Sequence, residues 1–167
     1  MRGELHDPFV DPVRVKAAES LTAEIYGRHE AGVPYGELLE RLAELVGTSL
    51  AKVDVSGAFG SVSPGTWARD LLLADQSPPT DLADAELLEL LQAICAVDGE
   101  EWQVSWWLRC VEACTGCAEI IDLIYYPSDV LGPGDEREEL TPEEILAEAR
   151  RRPRRVLVTP PPKGGAA

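Results

Sequence analysis

Residues 122–127 read DLIYYP, and this six-residue stretch decides how the second half of the chain is read. It is too short to bury much surface, and Pro127 stops a helix from continuing beyond it. Adjacent residues on a helix point about 100° apart, so Tyr125 and Tyr126 cannot both enter a core. At least one phenol is expected to face outward. Asp122 opens the stretch, where a carboxylate can cap backbone N–H groups or meet a basic partner.

Working outward from there, Leu87, Leu88, Leu91 and Ile94 repeat at helical spacing and predict an amphipathic helix over about 83–97, ended by DGE. A second helix is expected over about 101–115. LGPGDEREE, residues 131–139, is a polar loop. Thr141, Pro142 and Glu144 then form a capping box with proline at the first helical position, and open a last helix ending near residues 152–153. The order helix, helix, short helix, helix within about 75 residues leaves no room for strands of consequence. The fold class is therefore expected to be all-α.

The first half is less regular. Residues 1–11 read as irregular. A helix is expected over about 12–28, with Ala18, Leu21 and Ile25 on one face, and another over about 35–46, with Leu38, Leu42 and Leu45. Residues 49–62 have mixed strand and loop character. Ser63 and Pro64 look like an N-cap and first turn of a helix running to residue 73. DQSPPTD, residues 75–81, is the best boundary, because its prolines cannot extend a helix. The chain thus divides into a helical unit over 1–78, a four-helix unit over 79–155, and a tail over 156–167 expected to be disordered.

Charge is the strongest compositional signal. The 167 residues carry 15 Lys+Arg against 30 Asp+Glu, a net of −15. Residues 81–149 hold 2 basic and 18 acidic side chains, a net of −16, while residues 150–167 hold 6 basic and none acidic. Such a surface repels nucleic-acid phosphates and attracts basic proteins, so direct nucleic-acid binding is not expected. The start lacks a basic segment followed by an apolar one, and no apolar run approaches the ~18 residues of a membrane span. The four cysteines then read as reduced thiols of a cytoplasmic protein with no membrane contact.

With these elements placed, the second half resembles the immunity proteins that neutralise colicin- and pyocin-type DNase toxins, which are small acidic four-helix domains. The short third helix of that family reads DLIYYP, as do residues 122–127 here. ADAELLELLQAICAVD, residues 83–98, is similar to its first helix, including Ile94, Cys95 and Asp98 in an I-C-x-x-D ending. TPEEILAEARR, residues 141–151, is similar to its fourth. The resemblance covers residues ~80–155.

It implies a protein that inhibits without chemistry. The third helix would give a shared anchor and the second helix specificity, together gripping an exosite beside the active site of a basic HNH-type DNase toxin. Carried over by alignment, the partner-binding residues are Glu101, Val104, Ser105, Leu108 and Glu112 on the second helix, followed by Glu119, Ile121, Asp122, Tyr125, Tyr126 and Pro127 around the third. The acidic surface would exclude DNA by charge and bulk. Three departures put the identity of the toxin in doubt: Trp102, Trp106 and Trp107 in the second helix, Ala118 where a proline is common, and Ile121 where a small polar residue often precedes the aspartate. Trp107 is expected to pack inward, and Trp106 or Trp102 to be a specificity residue.

A shift of 68 residues lays residues 37–60 on residues 105–128, placing Arg41 on Arg109, Glu44 on Glu112 and Asp54 on Asp122, while the tyrosine pair falls on Gly57 and Ala58. This reads as a decayed duplicate of the same fold or as chance likeness between two small helical units.

Other chemistry has weaker claims. Cys110, Cys114 and Cys117 form C-x3-C-x2-C, a spacing shared with radical-SAM cluster loops, but this chain is short and helical. With Cys95 they could form a zinc site, while small buried thiols are the plainer account. His6 and His29 have no ligand-spaced partners, and no nucleophilic triad, phosphate loop or H-E-x-x-H is present. The sequence points to a binding protein with no cofactor and no metal, not an enzyme. The alternatives to a toxin inhibitor are an acidic module on the same fold for another basic partner and a cysteine-based metal-binding regulator.

Overall fold

The computed structural model describes residues 2–9, 11–49, 53–132, 134–135 and 137–152. Among these the fold is all-α. The elements in chain order are α1 (Gly3–His6), α2 (Pro12–Glu30), α3 (Gly36–Val46), α4 (Val55–Ala58), α5 (Pro64–Leu73), α6 (Asp84–Cys95), α7 (Glu101–Thr115), α8 (Ile120–Tyr125), α9 (Pro127–Val130) and α10 (Pro142–Arg151). The tail expected over 156–167 lies outside the described residues.

Local chemistry sets the helix ends. Asp11 caps α2 by accepting from Val13 N at 2.9 Å and Arg14 N at 3.1 Å, with Pro12 at the first helical position. Ser63 does the same for α5, accepting from Thr66 N at 3.0 Å. The capping box of α10 is complete: Thr141 N donates to Glu144 Oε2 at 2.9 Å, and Glu144 N donates to Thr141 Oγ1 at 3.3 Å. Helices α3 and α7 both stop at a left-handed glycine, Gly47 and Gly116, each at φ 74°, a conformation in which a Cβ would be strained.

Two hydrophobic cores result. The first, built from α2, α3, α4 and α5, holds Ala18, Ile25, Leu38, Leu42, Val46, Val55, Trp67 and Leu72. The second, around α6, α7, α8 and α10, holds Leu87, Leu90, Leu91, Ile94, Cys110, Val111, Leu123, Ile145 and Ala149. In each half the long first helix packs on both the second and the last: α2 on α3 and α5, and α6 on α7 and α10.

The halves are not cleanly split near residue 78. Leu5 and Leu73 are buried in the second core, and Phe9 packs against both. Residues 2–9, expected to be irregular, instead form a strap containing α1 that lies on α7. The indole of Trp106 donates to Glu4 O at 3.0 Å, the indole of Trp107 to Leu5 O at 2.7 Å, and the Gln103 amide to His6 O at 3.1 Å. Arg2 fastens the strap to α6 through a two-pronged contact with Glu86, at 2.6 and 2.9 Å, and a further contact with Asp81. Helix α5 covers the adjoining flank of α7: the Arg69 guanidinium lies 5.2 Å over the Trp102 ring, and Arg109 donates to the carbonyls of Leu73 and of Gln76.

Candidate partner-binding surface

Helix α8 is amphipathic over six residues. Ile120 and Leu123 are sealed at 2% and 0% exposure, with Ile124 packed beside them, and fix the helix to the second core. One face of a helix that sits on the core leaves the other in solvent. That other face carries Ile121 and Tyr125, four residues apart and therefore neighbours, with Asp122 between them in sequence. Ile121 is 50% exposed, Tyr125 47% and Tyr126 60%, so both phenols point outward, where the sequence required only one to do so. Tyr126 sits just past the helix end, its N–H donating to Asp122 O at 2.8 Å. The helix begins at Ile120, two residues earlier than expected. Asp122 therefore lies inside it, exposed, and caps nothing with its side chain.

Pro127 is different. It is buried and starts α9, so it shapes the turn after the tyrosines and offers no side-chain surface to a partner. Glu119 is exposed and pairs with Arg152, whose other terminal nitrogen donates to Val130 O at 2.6 Å. This contact ties the end of α10 to the loop beneath the tyrosines.

On α7 the expected face is Glu101, Val104, Ser105, Leu108 and Glu112. Glu101 and Glu112 are exposed and the other three half-buried. These residues share the side of the helix opposite Cys110, which is fully buried, with Glu101 near enough to α5 for its charge to act on Asp70. The face is thus open and acidic at both ends.

The tryptophans resolve differently from expectation. Trp107 is buried, as expected. Trp106 is 2% exposed, because the strap and the stacked Arg109, 5.6 Å away, cover it, so it cannot select a partner. Trp102 is half-covered by Phe9, at 5.4 Å, and by Arg69. Sequence reasoning missed the strap because a four-residue helix has no periodicity. The backbone carbonyls that satisfy the indoles are also invisible until the chain folds back.

One exposed apolar residue had no sequence signal. Val97 is 73% exposed and left-handed at φ 52°, closing α6 where glycine is the usual choice. The carboxyl of Asp70 lies where α5 meets α7. Burial, and then the charge of Glu101, push its pKa up to about 6.

The cysteines are free thiols. Cys110, Cys114 and Cys117 are buried, and Cys114 Sγ donates to Pro79 O at 3.3 Å. Burial pushes the Cys110 thiol up to about 12 and raises that of Cys117, away from the reactive thiolate form. Among the described residues no three His, Cys, Asp or Glu side chains gather with the geometry of a metal site, so the metal-regulator alternative gains no support. No helix among them is long and apolar enough to cross a membrane.

Compared with models of known protein families, with curated proteins and with solved structures, the chain matches none.

Proposed function

We propose that this protein is an immunity-type inhibitor that binds a basic HNH-type DNase toxin through α7 and α8. The observation that carries the proposal is the outward face of α8: Ile121, Tyr125 and Tyr126 stand in solvent on a helix whose other side is fully committed to the core. Large apolar side chains left open on so short an element stabilise nothing in the free protein. They are the residue types that anchor protein interfaces, since a tyrosine supplies wide rigid contact area and a polar tip at low conformational cost.

Charge supports the same reading. The open face of α7 begins at Glu101 and ends near Glu112, and Asp122 lies between Ile121 and Tyr125. Residues 81–149, which contain both helices, carry a net of −16, more than the −15 of the whole chain. A basic nuclease would be drawn to this field, and DNA would be repelled from a nuclease so covered. The helix order around the second core, with DLIYYP running from the short helix α8 into the first residue of α9, supports the resemblance to the colicin-type immunity proteins.

The test is direct. The purified protein is titrated against HNH-type DNase domains of colicin- and pyocin-type toxins, and both complex formation and DNA cleavage are followed. Stoichiometric binding with loss of cleavage supports the proposal. A complex with a basic protein that has no nuclease activity would transfer the same surface to a different partner class and overturn the nuclease assignment.

A further inference from the structure

The two halves share more than element order. Leu38, Leu42, Ala43 and Val46 on α3 lie 68 residues before Trp106, Cys110, Val111 and Cys114 on α7, and all eight are buried. Val55 on α4 and Leu123 on α8 are also 68 apart and buried. Ser63-Pro64 and Thr141-Pro142 open α5 and α10 with the same cap and the same first-turn proline. Helix α5 is thus the counterpart of α10, and the α2/α3 pair that of α6/α7.

This correspondence exposes an asymmetry. In the second half, the flank of α7 bearing Arg109 is covered by the C-terminal end of α5 and the segment after it. Arg109 donates to the carbonyls of Leu73, the last residue of α5, and of Gln76 just beyond it, and Pro79 O accepts from Cys114. In the first half, the same flank is open. Arg41, the counterpart of Arg109, is exposed and has no hydrogen-bond partner among the described residues. It lines a groove of about 490 Å³ with Leu45 and Glu44 of α3 and Leu21, Ser20 and Glu24 of α2.

We infer that this groove takes the C-terminal end of α10 from a second copy of the chain, which would repeat between molecules the packing that α5 makes on α7 within one. The carbonyls ending α10 would meet Arg41 as those of α5 meet Arg109. Charge favours this occupant. Of the arginines that close α10, Arg150 is held by Asp84 and Arg152 by Glu119, while the side chain of Arg151 is 75% exposed and pairs with Glu148 of its own helix, in a chain that is otherwise strongly acidic. The groove offers Glu44 to Arg151, while its Glu24 is paired with Arg28. The two surfaces are different, so the contact is head-to-tail. It leaves a free groove at one end and a free α10 at the other, and association does not stop at a dimer. The inference stands on the repeat relation and is independent of the proposed toxin binding.

Sedimentation equilibrium of the full chain at physiological salt, up to about 1 mM, tests it. The expected result is a weight-average mass that rises with concentration past that of a dimer. Arg41→Glu in the groove and Arg151→Glu at the end of α10 should each weaken association about tenfold or more. Leu45→Asp serves as a second groove variant, with helicity checked by circular dichroism. Mixing Arg41→Glu with Arg151→Glu should restore pairing, because each retains one intact surface, but only as far as dimers. A protein that stays monomeric throughout, variants that associate like the parent, or a mixture no better than its components would each overturn the inference.

Discussion

Tyr125 and Tyr126 are the residues on which the functional reading turns, and they cost nothing to the core if truncated, since both stand in solvent. Replacing either with alanine should weaken binding to the nuclease by about 2 kcal/mol, as for other central interface aromatics, and leave the thermal midpoint nearly unchanged. Calorimetric titration beside a melting curve separates the two effects. Asp70 carries a second prediction. In the folded protein its carboxyl titrates near pH 6, above the ordinary carboxylate range. The protonated form is therefore the one the fold favours, and the stability it supports is present in acid and lost as pH rises through about 6. Asp70→Asn should stabilise the protein at pH 7.5 by up to about 1 kcal/mol, after allowance for its partial exposure, and give no gain near pH 4. Denaturant melts of both proteins at the two pH values check this. At this scale one outward phenol was legible, because helix geometry forbids two neighbours from sharing one face, but the exposure of both was not. The burial of Pro127 and Trp106 was not, since it depends on contacts from α9 and from the amino-terminal strap.

Among the elements, that strap was the least foreseeable and bears most on how the protein holds together. Leu5 is fully buried in the second core, and the carbonyls of Glu4 and Leu5 take up two indole N–H groups that would otherwise be unsatisfied. Leu5→Ala should cost about 2–4 kcal/mol of stability. Fluorescence should report the loss as a red shift of tryptophan emission in partly denaturing conditions before helicity falls. Longer elements were readable because their signals are local. The caps Ser63 and Thr141 and the amphipathic spacing of α3 and α6 mark them within about two residues, while the cap Asp11 emerged only with the fold. The same logic failed over residues 49–62, where α4 is too short to show a period. Its Val55 is placed by the core it enters, not by its own sequence neighbourhood.

For the whole molecule, the uneven charge is the property that composition revealed and the fold preserves. Most of the net charge of −15 lies on the segment carrying α6 to α10, and the basic residues that follow sit at the end of α10. Association with a basic nuclease should therefore be fast at low ionic strength and slow markedly as salt rises. Dissociation, governed by the buried aromatic contacts, should change little. Stopped-flow mixing over a range of salt concentrations measures both rates. How the two units touch was not legible. The proline-rich linker marked a boundary, but the strap and Leu73 cross it, because α7 is left with an apolar flank that only the first half can cover.

The central claim is that the outward face of α8 is what stops a nuclease from reaching DNA. The most direct measurement is cleavage of DNA by colicin- and pyocin-type HNH DNase domains, titrated with the parent protein and with the Tyr125→Ala, Tyr126→Ala double variant. Full inhibition at one equivalent of the parent, and inhibition by the folded double variant only at concentrations hundreds of times higher, is the predicted result. Equal inhibition by the two proteins, or none by either, would contradict it.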